Sequence, residues 1–484
     1  MSLILELKTG EPMKKSLEWL MEEKGLFIYW LCAVVVYSAL SLFRHWHFQS
    51  ADFDLGIADH AIWHYSRFEM PSDTISHFKN LLGDHFAPTM ALLAPLYWIC
   101  PRVEMILVAQ AVLLTVPLFP IYLFTRKRLG RFPALCFAIS YAILWELQAE
   151  AEFDFHELTL AVPAAALAIY FADEEKWWPF FASIFFMAMC KENLCLLAVF
   201  YGFVLIGKGK WGKGAILSVV AIALFLFEVE FLIPCLGERP YIHWRFSQLG
   251  SGPIQAMGTC LTHPFKVFEI IFSNSTKTIT VLCLFLPFFF GALFSPWGIL
   301  AIPLICERML SDDPDYWVMM YQYNVMAAPI LCMASADGFY RLARRMNNST
   351  LREKYLRYLS VLILVLNVTA SLIPHAPLGH LMRYPFWRFN QEEITGREAL
   401  SLIPPDASVL AQSSLIPHLT HRQVIDRAEE NWKESPPSDD YAVFSLGENA
   451  WPLNRQEIVE LIELKKSQGY KVIFEKDGWF VLKK

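Results

Sequence analysis

The feature that most constrains this chain is a series of apolar stretches long enough to cross a lipid bilayer. A membrane-spanning helix needs about 20 apolar residues, because the bilayer core holds no water and every backbone amide must bond within the helix. Residues 25–43 contain no charge and follow Lys24 directly. They differ from a signal peptide, since the stretch begins late and lacks a small-residue cleavage site. Further candidate spans lie at residues 105–125, 132–149, 157–172, 214–234, 279–294, 297–310, 322–340 and 358–374.

The composition agrees with an integral membrane protein. Hydrophobic residues make up 55% of the 484 residues and charged residues only 18%. Soluble proteins contain about 45–50% hydrophobic and about 25% charged residues. The net charge of −6 provides no basic field, so nucleic acid is not an expected partner.

Residues 178–206 are long enough for one tilted helix, but Lys191-Glu192-Asn193 interrupts the centre of the stretch. We predict two short helices that meet at this tripeptide. The reason is that Lys and Arg accumulate in cytoplasmic loops. With two helices, the cytoplasmic side receives all the main basic clusters, at residues 14–24, 126–128, 208–213 and 341–354.

These spans predict an all-α polytopic bundle of about eleven transmembrane helices in the cytoplasmic (inner) membrane. Residues 1–24 form a cytoplasmic N-terminus, and residues 25–375 form the transmembrane domain. Two long loops, at 44–103 and 235–278, lie outside. Several helices are too short to cross alone, which is tolerated where they line a cavity enclosed by protein.

Residues 376–484 have a different composition, with more proline and polar residues, and predict a small extracytoplasmic α/β domain. Residues 408–412 and 441–446 are predicted to form short strands. Asn454 is positioned to cap a helix that runs to residue 467. Residues 472–474 and 480–482 flank a Lys-Asp-Gly turn and predict a hairpin.

The first outer loop opens with two carboxylates, Asp52 and Asp54, and later carries His85. Carboxylates and imidazoles just above the hydrocarbon can bind a divalent ion or act as a general base. Interfacial residues that face water give the same pattern. Asp54 stands out, because Phe53 and Leu55 would hold it against the membrane face.

The end of the third span carries five ionisable groups within residues 150–157, between two apolar helices. Charged groups in this position are costly. An alternating pattern would place Glu152, Asp154 and His156 on one side of an extended turn. Such oxygen and imidazole ligands suit magnesium or manganese, and a solvated helix connection is the alternative.

Lys191 and Glu192 form the most unusual feature of the apolar regions. A charged pair in an apolar stretch costs several kcal/mol unless it faces a cavity or a partner. In a functional role, Lys191 would bind a phosphate, and Glu192 would bind a hydroxyl, a metal or Lys191 itself. A structural role would lock a re-entrant loop.

The second outer loop interleaves Arg239 and Arg245 with aromatic residues. These cations could hold a lipid phosphate or form a belt at the membrane surface. Tyr323, at the outer start of a span, is typical of an aromatic belt. We also retain Tyr323 and His85 as candidates for substrate binding.

The ordered set of these motifs resembles a prokaryotic family of polytopic membrane proteins, DUF2079, over residues 45–425. That family in turn resembles class C (GT-C) glycosyltransferases, such as protein mannosyltransferases and aminoarabinose transferases. Those enzymes take a sugar from a polyprenyl-phosphate carrier and transfer it on the outer membrane face. The motifs that carry the resemblance are Phe53-Asp54-Leu55-Gly56, Gly83-Asp84-His85-Phe86-Ala87-Pro88, Phe153-Asp154-Phe155-His156, Lys191-Glu192, and the stretch from Ile403-Pro404 to Pro417-His418-Leu419.

The resemblance implies a first acidic position at Asp54 (or Asp52) and a second at Asp154. Asp54 would be the general base or a metal ligand, and a metal would be held by Asp54, Asp154 and His156. This chain has Asp-Phe-Asp where the resemblance leads us to expect adjacent Asp-Glu. That departure leaves open which carboxylate acts and whether a metal is used.

The resemblance also implies phosphate contacts from Lys191, Arg239 and Arg245, with membrane lipid and a polyprenyl-phosphate sugar donor as partners. A transporter or flippase would likewise need buried charges and broken helices. It would usually show internal repeats, and none is convincing here. A lipid-binding scaffold without chemistry is a third reading, and the oligomeric state stays open.

Overall fold

The computed structural model of the protein describes residues 23–373, 375–430, 432 and 438–484. The predicted cytoplasmic N-terminus, residues 1–24, lies almost entirely outside the described residues. Within the described part, the α-helices are Lys24–Trp46, Ile57–Ser66, Ala94–Ile99, Glu104–Thr115, Leu118–Leu129, Arg131–Ala142, Trp145–Phe153, Leu158–Asp173, Trp177–Ala188, Leu194–Gly207, Trp211–Phe227, Ile233–Gly237, Pro253–Thr262, Pro264–Ile271, Ser275–Phe285, Ala301–Met309, Ala327–Ala343, Ser349–Ser371, Gln391–Ser401 and Arg455–Ser467.

The bundle is mostly helical, as predicted, but eleven spans are not confirmed. A bent pair, Pro264–Ile271 with Ser275–Phe288, turns by 89° and can count as one span. Shorter apolar helices have 10–17 residues, less than a bilayer crossing requires. By length and composition, four helical segments of the described chain can cross a membrane, or five with the bent pair: Lys24–Trp46, Glu104–Leu129, Arg131–Phe153 and Trp211–Gly237.

The predicted break at the charged tripeptide is confirmed. The helices Trp177–Ala188 and Leu194–Gly207 are joined by a short turn that contains Lys191 and Glu192. Both side chains are buried in protein, with 8% and 1% of their surface exposed. The chain turns back here because lipid cannot solvate this pair, whereas protein groups can.

The first span lies directly beside the third predicted span. The Tyr37 hydroxyl donates to the Ala142 carbonyl at 2.8 Å, and the Ser41 hydroxyl donates to the Ala151 carbonyl at 2.8 Å. These bonds align the C-terminal ends of the two helices. The first outer loop and the acidic segment at 150–157 therefore meet, although about a hundred residues separate them in sequence.

The C-terminal region contains the predicted sheet. The predicted strands at 408–412 and 441–446 and the hairpin are confirmed, and Asn454 caps its helix in a capping box with Glu457. One strand was not predicted, since its three residues show no alternation. The order is β2-β1-β3-β5-β4, with β1 parallel to β2 and β3, and β5 antiparallel to β3 and β4. The strands are β1 (Val409–Ala411), β2 (Ile425–Arg427), β3 (Tyr441–Ser445), β4 (Lys471–Lys476) and β5 (Trp479–Lys483).

One face of this sheet packs on the first outer loop. Phe48 and Ile75 of that loop belong to the same buried apolar cluster as Trp479. A hydrogen bond joins His47 Nδ1 to Glu393 Oε1 at 2.7 Å. The C-terminal region thus covers the chain on either side of the two candidate carboxylates.

Candidate active site

The loop after the first span presents Asp54 in a strained conformation. Asp54 has φ +67° and ψ −81°, a region that non-glycine residues rarely adopt and that costs of the order of 1–3 kcal/mol. Gly56 allows the loop to pass close to the C-terminal region, because a Cβ there would lie 3.1 Å from Ile416 Cγ2. Backbone strain of this kind concentrates at functional sites.

A line of ionisable side chains runs from Asp54 to the tip of the broken hairpin. Asp54 Oδ1 lies 3.6 Å from His156 Nε2, and His156 Nδ1 lies 3.4 Å from Glu157 Oε2. Glu157 Oε1 forms an ion pair with Lys191 Nζ at 2.7 Å. Asp54, His156 and Lys191 therefore converge at one end of the bundle, which we call the site end.

Asp154 joins the cluster through the first span. Its Oδ1 pairs with Arg44 Nη1 at 3.1 Å, and its Oδ2 accepts the backbone amide of Ala51 at 2.9 Å. Burial raises the pKa of Asp154 to about 6, an effect that the Arg44 charge partly offsets. With both oxygens bound in this way, Asp154 holds the strained loop in position.

Glu192 fixes two outer loops rather than pairing with its neighbour Lys191. Its Oε1 lies 2.8 Å from His85 Nδ1 and accepts the Tyr241 hydroxyl at 2.9 Å. Its Oε2 accepts the backbone amide of Phe86 at 3.2 Å. One buried carboxylate thereby ties the first and second outer loops to the hairpin tip.

A cavity of about 390 Å³ opens beside the hairpin tip. Its walls are mostly apolar and include Phe200, Phe225 and Leu304. An apolar pocket with a few polar groups at one end is the usual form of a ligand site. The predicted substrate-binding residues that line it are His85, Lys191, Glu192, Arg245 and Tyr323.

The protonation of Asp54 and His156 depends on burial. Burial, together with the negative charge of Glu157, raises the pKa of Asp54 to about 8, and Lys191 offsets part of this rise. Burial lowers the pKa of His156 to about 3, so its imidazole is neutral at physiological pH. In the described chain, no hydrogen bond reaches the Asp54 carboxylate. Asp54 is therefore a carboxyl whose pKa lies near neutral pH, as a general base requires.

Two predicted site residues lie elsewhere. Asp52 is fully buried against the C-terminal region, where its Oδ2 pairs with Arg427 Nη1 at 3.1 Å. Its Oδ1 accepts the Ser413 hydroxyl. Arg239 is not among the residues that line the cavity; its guanidinium stacks 3.3 Å above the Phe78 ring centroid. Both side chains stabilise the outer loops, and of the two candidate carboxylates only Asp54 faces the cluster.

The predicted magnesium or manganese ligands, Asp54, Asp154 and His156, do not form one of the close groups of ligating side chains among the described residues, and the metal stays a prediction. Asp154 is held by Arg44, and Asp54 is in contact with His156 alone of the other two predicted ligands. Among the described residues, the group of at least three metal-ligating side chains whose donor atoms all lie within 4.8 Å of one another is Asp84, His85 and His243.

Sequence reasoning missed Glu157, Arg44 and Tyr241. Arg44 carried a usable signal, because a lone cation at the outer end of a span departs from the rule that places basic residues in the cytoplasm. Glu157 opens an apolar helix, where an acid is expected as an end residue. Its pairing with Lys191 depends on the fold.

Comparisons with known proteins agree with this architecture. The model of a family described as "Predicted membrane protein (DUF2079)" matches residues 44–481. Two crystal structures of ArnT from Cupriavidus metallidurans are similar, one bound to undecaprenyl phosphate (TM-score 0.51) and one in the apo state (TM-score 0.52). Each is 13% identical, and the alignment covers 95% of this chain and 98% of that chain. No curated protein matches the sequence significantly.

Proposed function

Because the chain belongs to the DUF2079 family of predicted membrane proteins and has a fold similar to that of the GT-C glycosyltransferase ArnT, we propose that it is a membrane glycosyltransferase. It moves a sugar from a polyprenyl-phosphate carrier to an acceptor on the extracytoplasmic face. One observation carries the proposal: side-chain contacts lead from Asp54, whose pKa is raised, through His156 and Glu157 to the buried Lys191, which lines an apolar cavity.

The cavity is suited to the donor lipid. Its apolar walls match the first part of a prenyl chain, and the remainder of the chain would stay in the bilayer. Lys191 and Arg245 stand at the polar end of the cavity, where a phosphate needs positive charge. Undecaprenyl phosphate, the lipid bound by ArnT in one of the two crystal structures, has this chemistry.

Asp54 is suited to activate the acceptor. In its ionised form it takes the proton from the acceptor hydroxyl or amine as that group attacks the anomeric carbon. The bond from the anomeric carbon to the phosphate oxygen breaks, and its electron pair stays on the phosphate near Lys191. Attack opposite the leaving group inverts the anomeric configuration.

The distribution of basic residues supports the proposed orientation. Arg128, Lys208 and Arg341 lie near Asp173 and Asp337, at the end of the bundle opposite the site. Basic residues accumulate on the cytoplasmic side. The site end and the C-terminal region therefore face the outside of the inner membrane, and Lys24, at the start of the first span, faces the cytoplasm.

The test is transfer from undecaprenyl phosphate carrying a radiolabelled sugar, in a panel of sugars, by the full-length protein in proteoliposomes. Asp54→Asn should slow transfer about 10²- to 10⁴-fold, the usual contribution of a general base. Asp52→Asn, two residues away, is the matched control and should keep most of the rate. Full transfer by Asp54→Asn would contradict the proposal, and lipid flipping without transfer would favour a transporter.

A further inference from the structure

A cluster of metal-ligating side chains joins the two outer loops at the polar end of the cavity. Asp84 and His85 come from the first outer loop and His243 from the second, and one donor atom from each lies within 4.8 Å of the others. His243 Nε2 lies 2.6 Å from Asp84 Oδ1. The rings of His85 and His243 stack with their centroids 3.9 Å apart.

Glu192 prepares His85 for metal binding. The Glu192 carboxylate lies 2.8 Å from His85 Nδ1, so this nitrogen carries a proton and Nε2 is the ring atom left to bind a metal. Imidazoles that bind metals usually donate their other N–H to a carboxylate in this way, which fixes the tautomer and the ring orientation. Tyr241 and the Phe86 amide hold Glu192 in turn.

The donor set indicates the class of ion. Two imidazoles and one carboxylate suit zinc and similar transition metals better than magnesium, which prefers oxygen ligands. Three protein ligands leave a fourth position open, as in zinc sites that bind a substrate. His85 and His243 both line the cavity, and Lys191 stands at the same end.

We propose that Asp84, His85 and His243 bind one divalent transition-metal ion of the zinc class, with an open position that faces the cavity. That position takes an oxygen of the donor phosphate, and this second part of the proposal rests on the proposed function. The site differs from the magnesium or manganese set that the sequence suggested, in both ligands and ion.

The test is zinc binding by the full-length protein in detergent, without a histidine tag, after treatment with a chelator. Elemental analysis should find about one zinc per chain in the wild type and none in a His85→Ala/His243→Ala variant. His263→Ala, an exposed histidine of the second outer loop, is the matched control and should bind zinc normally. Millimolar magnesium should not displace the ion.

Glu192→Gln keeps all three ligands and should weaken zinc binding about 10- to 100-fold, as removal of such an orienting carboxylate does. Melting temperatures of the variants separate loss of the site from loss of the fold. If His85→Ala/His243→Ala unfolds, Glu192→Gln and Asp84→Asn, both close in shape to the wild type, decide the question. Unchanged zinc binding in these variants, or no zinc in the wild type, would overturn the proposal.

Asp54→Asn distinguishes this proposal from the proposed function. The variant should bind zinc as the wild type does and lose transfer. If the wild-type protein binds zinc but transfers no sugar, the proposed function is contradicted and the metal site stands. If the wild-type protein transfers sugar but binds no zinc, the metal site is contradicted and the proposed function stands. Undecaprenyl phosphate should bind more tightly to the zinc-loaded protein than to the chelated protein, and equal affinities would contradict the open position.

Discussion

Buried carboxylates meet cations at both ends of the helical bundle, but the described contacts of Asp337 and Asp54 differ between the two ends. At the end opposite the site, Asp337 Oδ1 pairs with Arg128 Nε at 3.0 Å. Its Oδ2 pairs with Arg341 Nε at 2.7 Å and accepts the Ser295 hydroxyl at 2.7 Å. Both oxygens are bonded, so this cluster serves to hold helices together.

At the site end, Asp54 approaches the neutral His156 at 3.6 Å, beyond hydrogen-bond distance. Its backbone is strained, and its pKa is raised to about 8. A charge whose bonds are all made within the protein is structural, whereas a carboxylate without a hydrogen bond in the described chain, such as Asp54, is available for chemistry.

The largest expected effect is a loss of stability on substitution at the end of the bundle opposite the site. Arg128→Ala leaves Asp337 and Asp173 buried without their shared cation, so the free energy of unfolding should fall by about 3–5 kcal/mol. Denaturant unfolding in micelles measures this change. Lys127→Ala, whose side chain is 55% exposed, is the matched control and should cost less than about 1 kcal/mol. Equal losses for the two variants would contradict the structural assignment.

The next largest expected effect is a loss of affinity for undecaprenyl phosphate on substitution at the hairpin tip. Lys191→Gln removes the buried ammonium from the polar end of the cavity, and a buried charged contact of this kind contributes about 2–5 kcal/mol. The dissociation constant for undecaprenyl phosphate, measured by titration of folded protein, should rise at least about 30-fold. Lys208→Gln, at the opposite end, should leave it unchanged. The same dissociation constant for Lys191→Gln and wild type would place the phosphate elsewhere.

The third effect concerns pH. Because a base acts in its ionised form and the pKa of Asp54 is about 8, kcat/KM should rise with pH through about pH 7 and level off above about pH 9. Glu157→Gln removes a negative neighbour, so the midpoint should move to lower pH by up to about one unit, or about 1.4 kcal/mol. Glu152→Gln, which loses only its contact with His380, is the control. A midpoint that moves to higher pH would exclude this coupling.

The smallest effect should separate the two arginines of the second outer loop. Arg245 lines the cavity but is 48% exposed and also pairs with Asp313. Arg245→Gln should therefore weaken undecaprenyl phosphate binding only about two- to five-fold, and less at high salt. Arg239→Gln should have no effect on the dissociation constant. Equal weakening by both variants would mean that the donor extends beyond the cavity.

Features that depend on neighbouring residues could be predicted from the sequence. The apolar stretches defined a helical membrane bundle, and the charged tripeptide Lys191-Glu192-Asn193 marked the break in the hairpin. The Asn454 cap and the Lys-Asp-Gly turn predicted the helix and hairpin of the C-terminal region. The number of spans was harder to predict, because apolar helices that do not cross the bilayer have the same composition as those that do.

The sequence by itself determined the class of the protein and the candidate residues, since apolar length and charge placement act locally along the chain. Only the tertiary structure decided the role of each candidate: Asp52 pairs with Arg427, Asp154 with Arg44, and Lys191 with Glu157 rather than with its neighbour. The physical reason is that bonding and burial depend on groups about a hundred or more residues away in most of these cases. Asp52 and Asp54, two positions apart in the sequence, thus differ: Asp52 is bonded to Arg427, whereas the Asp54 carboxylate has no hydrogen bond among the described residues.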